Sequence, residues 1–292
     1  MKDYLPESMR RCPPGYARGE LERAMEEGTI LTARAVRCDE THDLIIDLGC
    51  AEGRIPRLEA AEGVADGRTR EIAILRCVGR PVCACVTEIT PEGEIVLSRR
   101  KAQQLAMDHL LREAAPGDIL PAVVTGCTAF GAFCDVGCGA AALLGTQQLC
   151  ISRLRHAGEL LTPGQRIYAD RVQRRVFLTQ RELLGTWAAN VARFCAGQTV
   201  IGVVRSLTDY GAFIELTPNL SGLAEDDGTL RVGDHVAVYI RAIVPETLKI
   251  KLSVLHRVEP QPREPLRYFQ TEGHIRQWRY GNEHFAKCYT IF

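Results

Sequence analysis

Two short stretches stand out: Phe130-Gly131-Ala132-Phe133 and Tyr210-Gly211-Ala212-Phe213. Aromatic rings held on a strand offer flat faces on which nucleic-acid bases stack, at roughly 1–3 kcal/mol per base. A glycine between the rings leaves room for a ligand to approach the backbone. Aromatic residues in strands are more often core residues, so one such stretch would mean little. Its recurrence at the same point of two copies of one pattern points to a binding face. Weaker candidates are basic. His156 lies in the run SRLRHAG beside Arg153 and Arg155, either at a phosphate or in a solvated loop. Arg99-Arg100-Lys101 opens a helical pattern and reads as a solvated face, with contact to RNA or a ribosome as the alternative. His274 and His284 lack acidic or thiol neighbours at ligand spacing and read as structural.

Several function classes are excluded. None of the patterns G-x-x-x-x-G-K-[ST], H-E-x-x-H or G-x-S-x-G occurs, nor does a carboxylate cluster suited to two metals, so no enzyme is expected. Thirty-six basic and 36 acidic residues cancel. A bulk binder of nucleic acid would be strongly basic, so any such site here must be local. The 292 residues are 46% apolar and 25% charged, which is neither a disordered nor a collagen-like composition. No apolar run is long enough to cross a membrane; the nearest, residues 129–145, holds Asp135 and four glycines. The opening MKDYLPESMRR lacks an apolar stretch, so no secretory signal is expected and a cytoplasmic location is. The twelve cysteines contain no C-x-x-C and read as reduced, buried thiols, with Cys83 and Cys85 on one face of a strand. A zinc site or redox switch is the alternative reading. No metal and no cofactor are expected.

The elements that would position the aromatic pairs come from a repeat. GDILPAVVTGCTAFGAFCDVG, from Gly117, aligns without a gap to GQTVIGVVRSLTDYGAFIELT, from Gly197, with seven of 21 positions identical. A third copy, GTILTARAVRCDETHDLIIDLG from Gly28, has one extra turn residue and no aromatic. Each copy reads as a strand pair, followed by a Gly turn, another strand and a closing strand: IVLSRRK, VFLTQRE or IKLSVLH. Five short strands in 60–75 residues match a small Greek-key barrel of the OB type. The expected fold is all-β, with three tandem five-stranded OB-fold barrels joined by short helices. The expected division is an extension at 1–23, repeat 1 at 24–101, a linker helix at 102–116, repeat 2 at 117–180, a second linker helix at 181–196, repeat 3 at 197–256, and a Pro-rich linker with an aromatic tail at 257–292. That tail holds seven aromatics in its last 27 residues, too many for a solvated segment, so it is expected to pack on something.

The recurring Gly start, the [Phe/Tyr]-Gly-Ala-Phe core and the Leu-Ser/Thr close resemble the RNA-binding domain of the ribosomal protein S-one family, in its shorter Gram-positive-type layout, over roughly residues 24–256. In that family five positions on one face meet RNA: an aromatic before the Gly, the Phe after Gly-Ala, a His in the next strand, an Asp, and an Arg opening the last strand. The resemblance carries these onto Phe130, Phe133, Cys150 and Arg175 in repeat 2, with no clear counterpart of the Asp. In repeat 3 they fall on Tyr210, Phe213, Glu225, Pro245 and Lys249, with Lys251 beside it. In repeat 1 they become His42, Ile45, Pro56, Thr90 and Glu94, so none is kept.

The resemblance implies binding of single-stranded RNA, with mRNA in translation initiation on the small ribosomal subunit as its setting. RNA would lie on repeats 2 and 3, through Phe130, Phe133, Arg175, Tyr210, Phe213, Lys249 and Lys251, with His156 a further candidate contact by the basic-run argument. Repeat 1 would dock on the small subunit. A free RNA regulator or RNA-decay accessory factor is the alternative, and a cysteine-based metal or redox sensor a more distant one.

Overall fold

The computed structural model describes residues 4–171, 177–283 and 285–292. They form two compact units. The first is Met1–Ala115 with Pro121–Thr125 and Cys134–Ala142; the second is Pro116–Leu120 with Gly126–Phe133 and Leu143–Phe292.

Three closed five-stranded barrels hold most of the chain. The first is β1 (Ile30–Cys38), β2 (Leu44–Asp47), β3 (Glu52–Ile55), β4 (Pro81–Ile89) and β5 (Ile95–Ser98). The second is β6 (Ile119–Cys127), β7 (Gly131–Asp135), β8 (Ala141–Gly145), β9 (Arg166–Arg171) and β10 (Phe177–Thr179). The third is β11 (Thr199–Thr208), β12 (Gly211–Thr217), β13 (Leu220–Ala224), β14 (His235–Val244) and β15 (Lys249–Val258). In each, the closing strand runs parallel to the third: Gly53 lies opposite Ile95, Leu143 opposite Phe177, and Leu223 opposite Lys251. The first strand carries a bulge seven residues after its opening glycine in repeats 1 and 3, at Ala35 and at Val204. Such a bulge tightens the local twist and helps a short sheet close on itself. Strand alternation fills the barrels: Ala212, Ile214, Leu220, Ile250 and Leu252 point into the third core, and Leu44, Ile46, Ile55, Ile95 and Leu97 into the first.

The connections depart from the sequence expectation. The first linker helix spans Arg99–Glu113, capped by Ser98, whose hydroxyl accepts from the Lys101 N–H at 2.9 Å. Arg99 is not on a solvated face. It is buried, and its guanidinium donates to both carboxylate oxygens of Glu7, at 2.8 and 2.7 Å; Arg100 pairs with Glu59 at 2.6 Å. The second linker contains only a five-residue helix, Trp187–Val191. Gly185, at φ +84°, interrupts the helical pattern, and the Thr186 hydroxyl caps the restart by accepting from Ala189 N–H at 3.2 Å.

The tail forms a two-stranded hairpin, β16 (Gln277–Gly281) and β17 (Ala286–Ile291). Trp278 and Tyr280 join the core cluster of the third barrel, and the Tyr280 hydroxyl donates to the Asn219 carbonyl at 2.5 Å. Tyr268 and Phe292 pack against the same cluster, whereas Phe269, Phe285 and Tyr289 stay exposed, so four of the tail's seven rings pack.

The cysteines are all free, and only some are buried: Cys77, Cys83, Cys85, Cys134, Cys138 and Cys150 are, whereas Cys50 and Cys195 are exposed. Cys83 and Cys85 do share a face of β4, opposite the core residues Val82, Ala84 and Val86. The N-terminal segment covers that face: Glu7 accepts from Cys83 N–H at 3.0 Å. Among the described residues no group of three or more His, Cys, Asp or Glu could hold a metal ion. No helix among them is long and apolar enough to cross a membrane.

Candidate nucleic-acid interface

The loop that presents each aromatic pair is built the same way twice. The Thr128 hydroxyl donates to the Gly131 carbonyl at 2.8 Å, and Thr208 does the same to Gly211 at 2.8 Å. These bonds hold the residue before glycine at the rim of its barrel and start the next strand. The glycines have a reason other than ligand access. A Cβ on Gly211 would sit 2.3 Å from the Ala224 carbonyl oxygen, and one on Gly131 would sit 2.5 Å from that of Leu144. The neighbouring strand occupies the space, and Gly211 also takes a φ of +137° that side chains rarely adopt.

The rings that follow are solvent-facing. Phe130 is 60% exposed, Phe133 38% and Tyr210 68%; Phe213 is half-buried. Phe130 and Phe133 meet at 5.8 Å between centroids and 86°, and Tyr210 and Phe213 at 6.0 Å and 86°. Each pair is a perpendicular corner that supports itself and leaves ring faces open. In the third barrel the strand register extends the corner into a row: Ser206 on β11, Phe213 on β12, Leu223 on β13 and Lys251 on β15 lie side by side. Three inter-strand steps make that row about 14 Å wide. Lys249 and Lys251 are both exposed on β15.

Register also reveals two residues that motif matching missed. Phe177, 40% exposed, lies opposite Leu143 as Lys251 lies opposite Leu223. It puts a third ring on the second barrel's face; between Val176 and Leu178 in the closing motif it reads as one more apolar strand residue, and no sequence signal marked it. The second is Lys287, on the tail hairpin. Its ammonium donates to the Leu248 carbonyl at 3.3 Å, and partial burial and the nearby Lys249 charge lower its pKa. No local pattern ties it to this face.

Other expected positions stand elsewhere. Arg175 lies outside the described residues, as does His284. Cys150 follows a short helix rather than lying in a strand. It is buried, its thiol donates to the Ser152 carbonyl at 3.4 Å, and burial pushes its pKa up, so it offers nothing to a ligand. Glu225 sits just past β13, exposed and 3.8 Å from Arg241, which offsets part of its charge. Pro245 opens an exposed turn. His156 caps a turn, its Nδ1 accepting from Gly158 N–H at 2.9 Å. His274 has an acidic partner after all, Asp118 at 2.8 Å.

The equivalent face of the first barrel is closed by its own charges. Arg54, opposite both Ile45 and Val96, bonds Glu94 at 2.7 Å and Asp43 at 3.0 Å. Arg37 pairs with Glu52 at 2.9 Å, and His42 with Glu71 at 3.1 Å. Ile45 is buried and no aromatic stands there.

A protein of Leuconostoc lactis named small ribosomal subunit protein bS1 is 26% identical over 249 residues, 77% of this chain and 56% of its own length. The protein of that name in Neisseria meningitidis serogroup B is 31% identical over 184 residues, 56% of this chain and 33% of its own. The chain is homologous to small ribosomal subunit protein bS1. The bS1 of Staphylococcus aureus strain COL is 29% identical over 60% of this chain and 50% of its own length. The chain thus aligns with about half or less of the bS1 sequences it matches. No protein-family model matches it. A solved multidomain protein with nucleic acid binding domains from Streptococcus pneumoniae TIGR4 covers 80% of this chain at 14% identity, with a TM-score of 0.26, too weak a likeness to build on.

Proposed function

We propose that this bS1 homologue binds single-stranded RNA on the outer faces of its second and third barrels, without catalysis, and that the RNA is mRNA brought to the small ribosomal subunit during translation initiation. One observation carries the reading: the same perpendicular, solvent-facing aromatic pair stands on both barrels and is missing from the first. Exposed rings gain by covering their faces, and any base can do so, which suits a ligand of mixed sequence. Lys249 and Lys251 on the third barrel, Lys287 on the tail hairpin and Arg175 of the second repeat would meet phosphates. Two tethered faces of modest affinity act together, because the second binds at high effective concentration.

The first barrel, whose face is neutralised by its own ion pairs, would serve for docking on the small subunit. Titration of a fluorescent 12-nucleotide oligouridylate with the wild type, Phe133→Ala and Phe213→Ala tests the RNA reading. Unchanged binding by both variants, with normal folding, would overturn it. Co-sedimentation with small ribosomal subunits in cell extract tests the setting. A chain found only in the free fraction would be an RNA regulator that never joins the ribosome.

A further inference from the structure

Within the second unit, the second and third barrels meet at a joint with an open cleft of about 400 Å³ beside it. One wall is Arg153, Leu154 and Arg155, from the segment after β8; the other is Arg205, Ser206 and Leu207 on β11, with Val232. The charges in this cleft are unequally used. Arg205 is buried and satisfied, bonding both oxygens of Glu215 at 2.9 and 3.0 Å and Glu159 at 2.8 Å. The side chains of Arg153 and Arg155 are exposed and make no ion pair or hydrogen bond among the described residues. Arg263 stands close by, donating to the Gly158 carbonyl at 3.2 Å, and partial desolvation together with the Arg205 charge lowers its pKa. Glu159 and Glu215 are both engaged by Arg205, so the guanidinium groups of Arg153 and Arg155 crowd the cleft without an acidic side-chain partner among the described residues. An anion in the cleft would relieve that crowding.

Position says which anion. Ser206 is both a wall of the cleft and the residue directly opposite Phe213, the first member of the row Ser206–Phe213–Leu223–Lys251. A strand whose bases stack along that row leaves its β11 end straight into the arginines. We propose that the cleft between the second and third barrels is a phosphate-binding subsite, in which Arg153 and Arg155 hold the RNA backbone as it passes between the two aromatic faces. This deepens the RNA-binding reading and rests on it. It also gives the run SRLRHAG a use that does not involve His156, whose ring is occupied by its own turn.

The test uses the full chain and two probes, an oligouridylate of about 12 nucleotides and one of about four, near the lower limit for one barrel face. Binding is titrated over a range of salt for the wild type, Phe213→Ala, the double variant Arg153→Gln/Arg155→Gln, and a charge-matched control, Arg23→Gln/Arg112→Gln, on exposed helices of the first unit. The arginine double variant is expected to bind the long probe roughly 5–10-fold more weakly and to lower its salt slope by about 1.4, two phosphates' worth. The short probe should be affected much less, and Arg153→Lys/Arg155→Lys should recover most of the slope. If Phe213→Ala weakens binding while the arginine variant matches wild type in affinity and slope, the cleft proposal falls and the face stands. If the control loses as much as the arginine variant, the effect is bulk charge and the proposal also falls. If Phe213→Ala, folded, binds both probes as wild type does, the underlying reading fails first.

Discussion

At the residue scale, the third barrel joins an aromatic ring and a cation in one row, and the second has a ring where the third has a lysine. Phe213 has aliphatic Leu223 and cationic Lys251 beside it; in the second barrel Phe177 takes the place of Lys251. The two faces should therefore differ in kind. Phe133→Ala and Phe213→Ala are each expected to cost about 1–3 kcal/mol of RNA binding. Phe177→Ala should cost a similar amount, although no motif includes it. Fluorescence titration with far-ultraviolet circular dichroism as a folding control measures all three. A folded Phe177→Ala variant that binds as wild type would remove that ring from the face. Gly211→Ala is expected to destabilise by roughly 1–3 kcal/mol, because its backbone conformation disfavours a side chain and the Ala224 carbonyl fills the space. Urea unfolding reads that loss directly.

At the scale of elements, the joint between the second and third barrels depends on Asn219, which is wholly buried at the β12–β13 turn. Its side chain accepts from Ile151 N–H at 3.0 Å and donates to the carbonyls of Arg181 and Gly185 at 2.7 and 2.8 Å, drawing three segments together. A second buried group in this unit costs stability. Asp170 on β9 has both carboxylate oxygens buried without a hydrogen-bond partner among the described residues. Desolvation, with the charges of Glu182 and Asp118, raises its pKa to about 8. The unfolded value is about 3.9. Between roughly pH 4 and 8 the folded state thus binds more protons than the unfolded state at this site, so stability falls as pH rises through that window. Asp135, raised to about 7 by burial and by Glu7, acts in the same direction. Asp170→Asn is therefore expected to melt at a higher temperature than wild type at pH 8 and to differ less from it at pH 5.5. Thermal melts at the two pH values check this; a pH-independent difference would place the cause elsewhere.

Across the entire chain, opposite charges cancel while the proposed face concentrates a few cations. RNA affinity should therefore depend on salt only moderately. With about three to five phosphates contacted, log K is expected to fall against log salt with a slope of roughly −2 to −4. A slope near zero would leave stacking alone as the source of affinity, and a much steeper one would require a basic surface beyond these residues. Titrations at four or five salt concentrations settle the slope.

Repetition and alternation are local properties, so the primary structure alone was enough for three five-stranded barrels and for the two aromatic pairs. The seven identities between repeats 2 and 3 include the Thr128/Thr208 position, whose hydroxyl bonds shape both loops. What covers a given strand face is non-local, and there the sequence expectation failed. Arg99 looked solvated until Glu7, 92 residues away, closed over it. Phe177 and Lys287 reach the candidate face through a parallel register and a docked hairpin, neither of which leaves a pattern in neighbouring residues. The cleft of Arg153 and Arg155 exists only because two barrels meet at Asn219. Short-range periodicity tells a residue which way its side chain points from its own strand; folding decides what stands opposite.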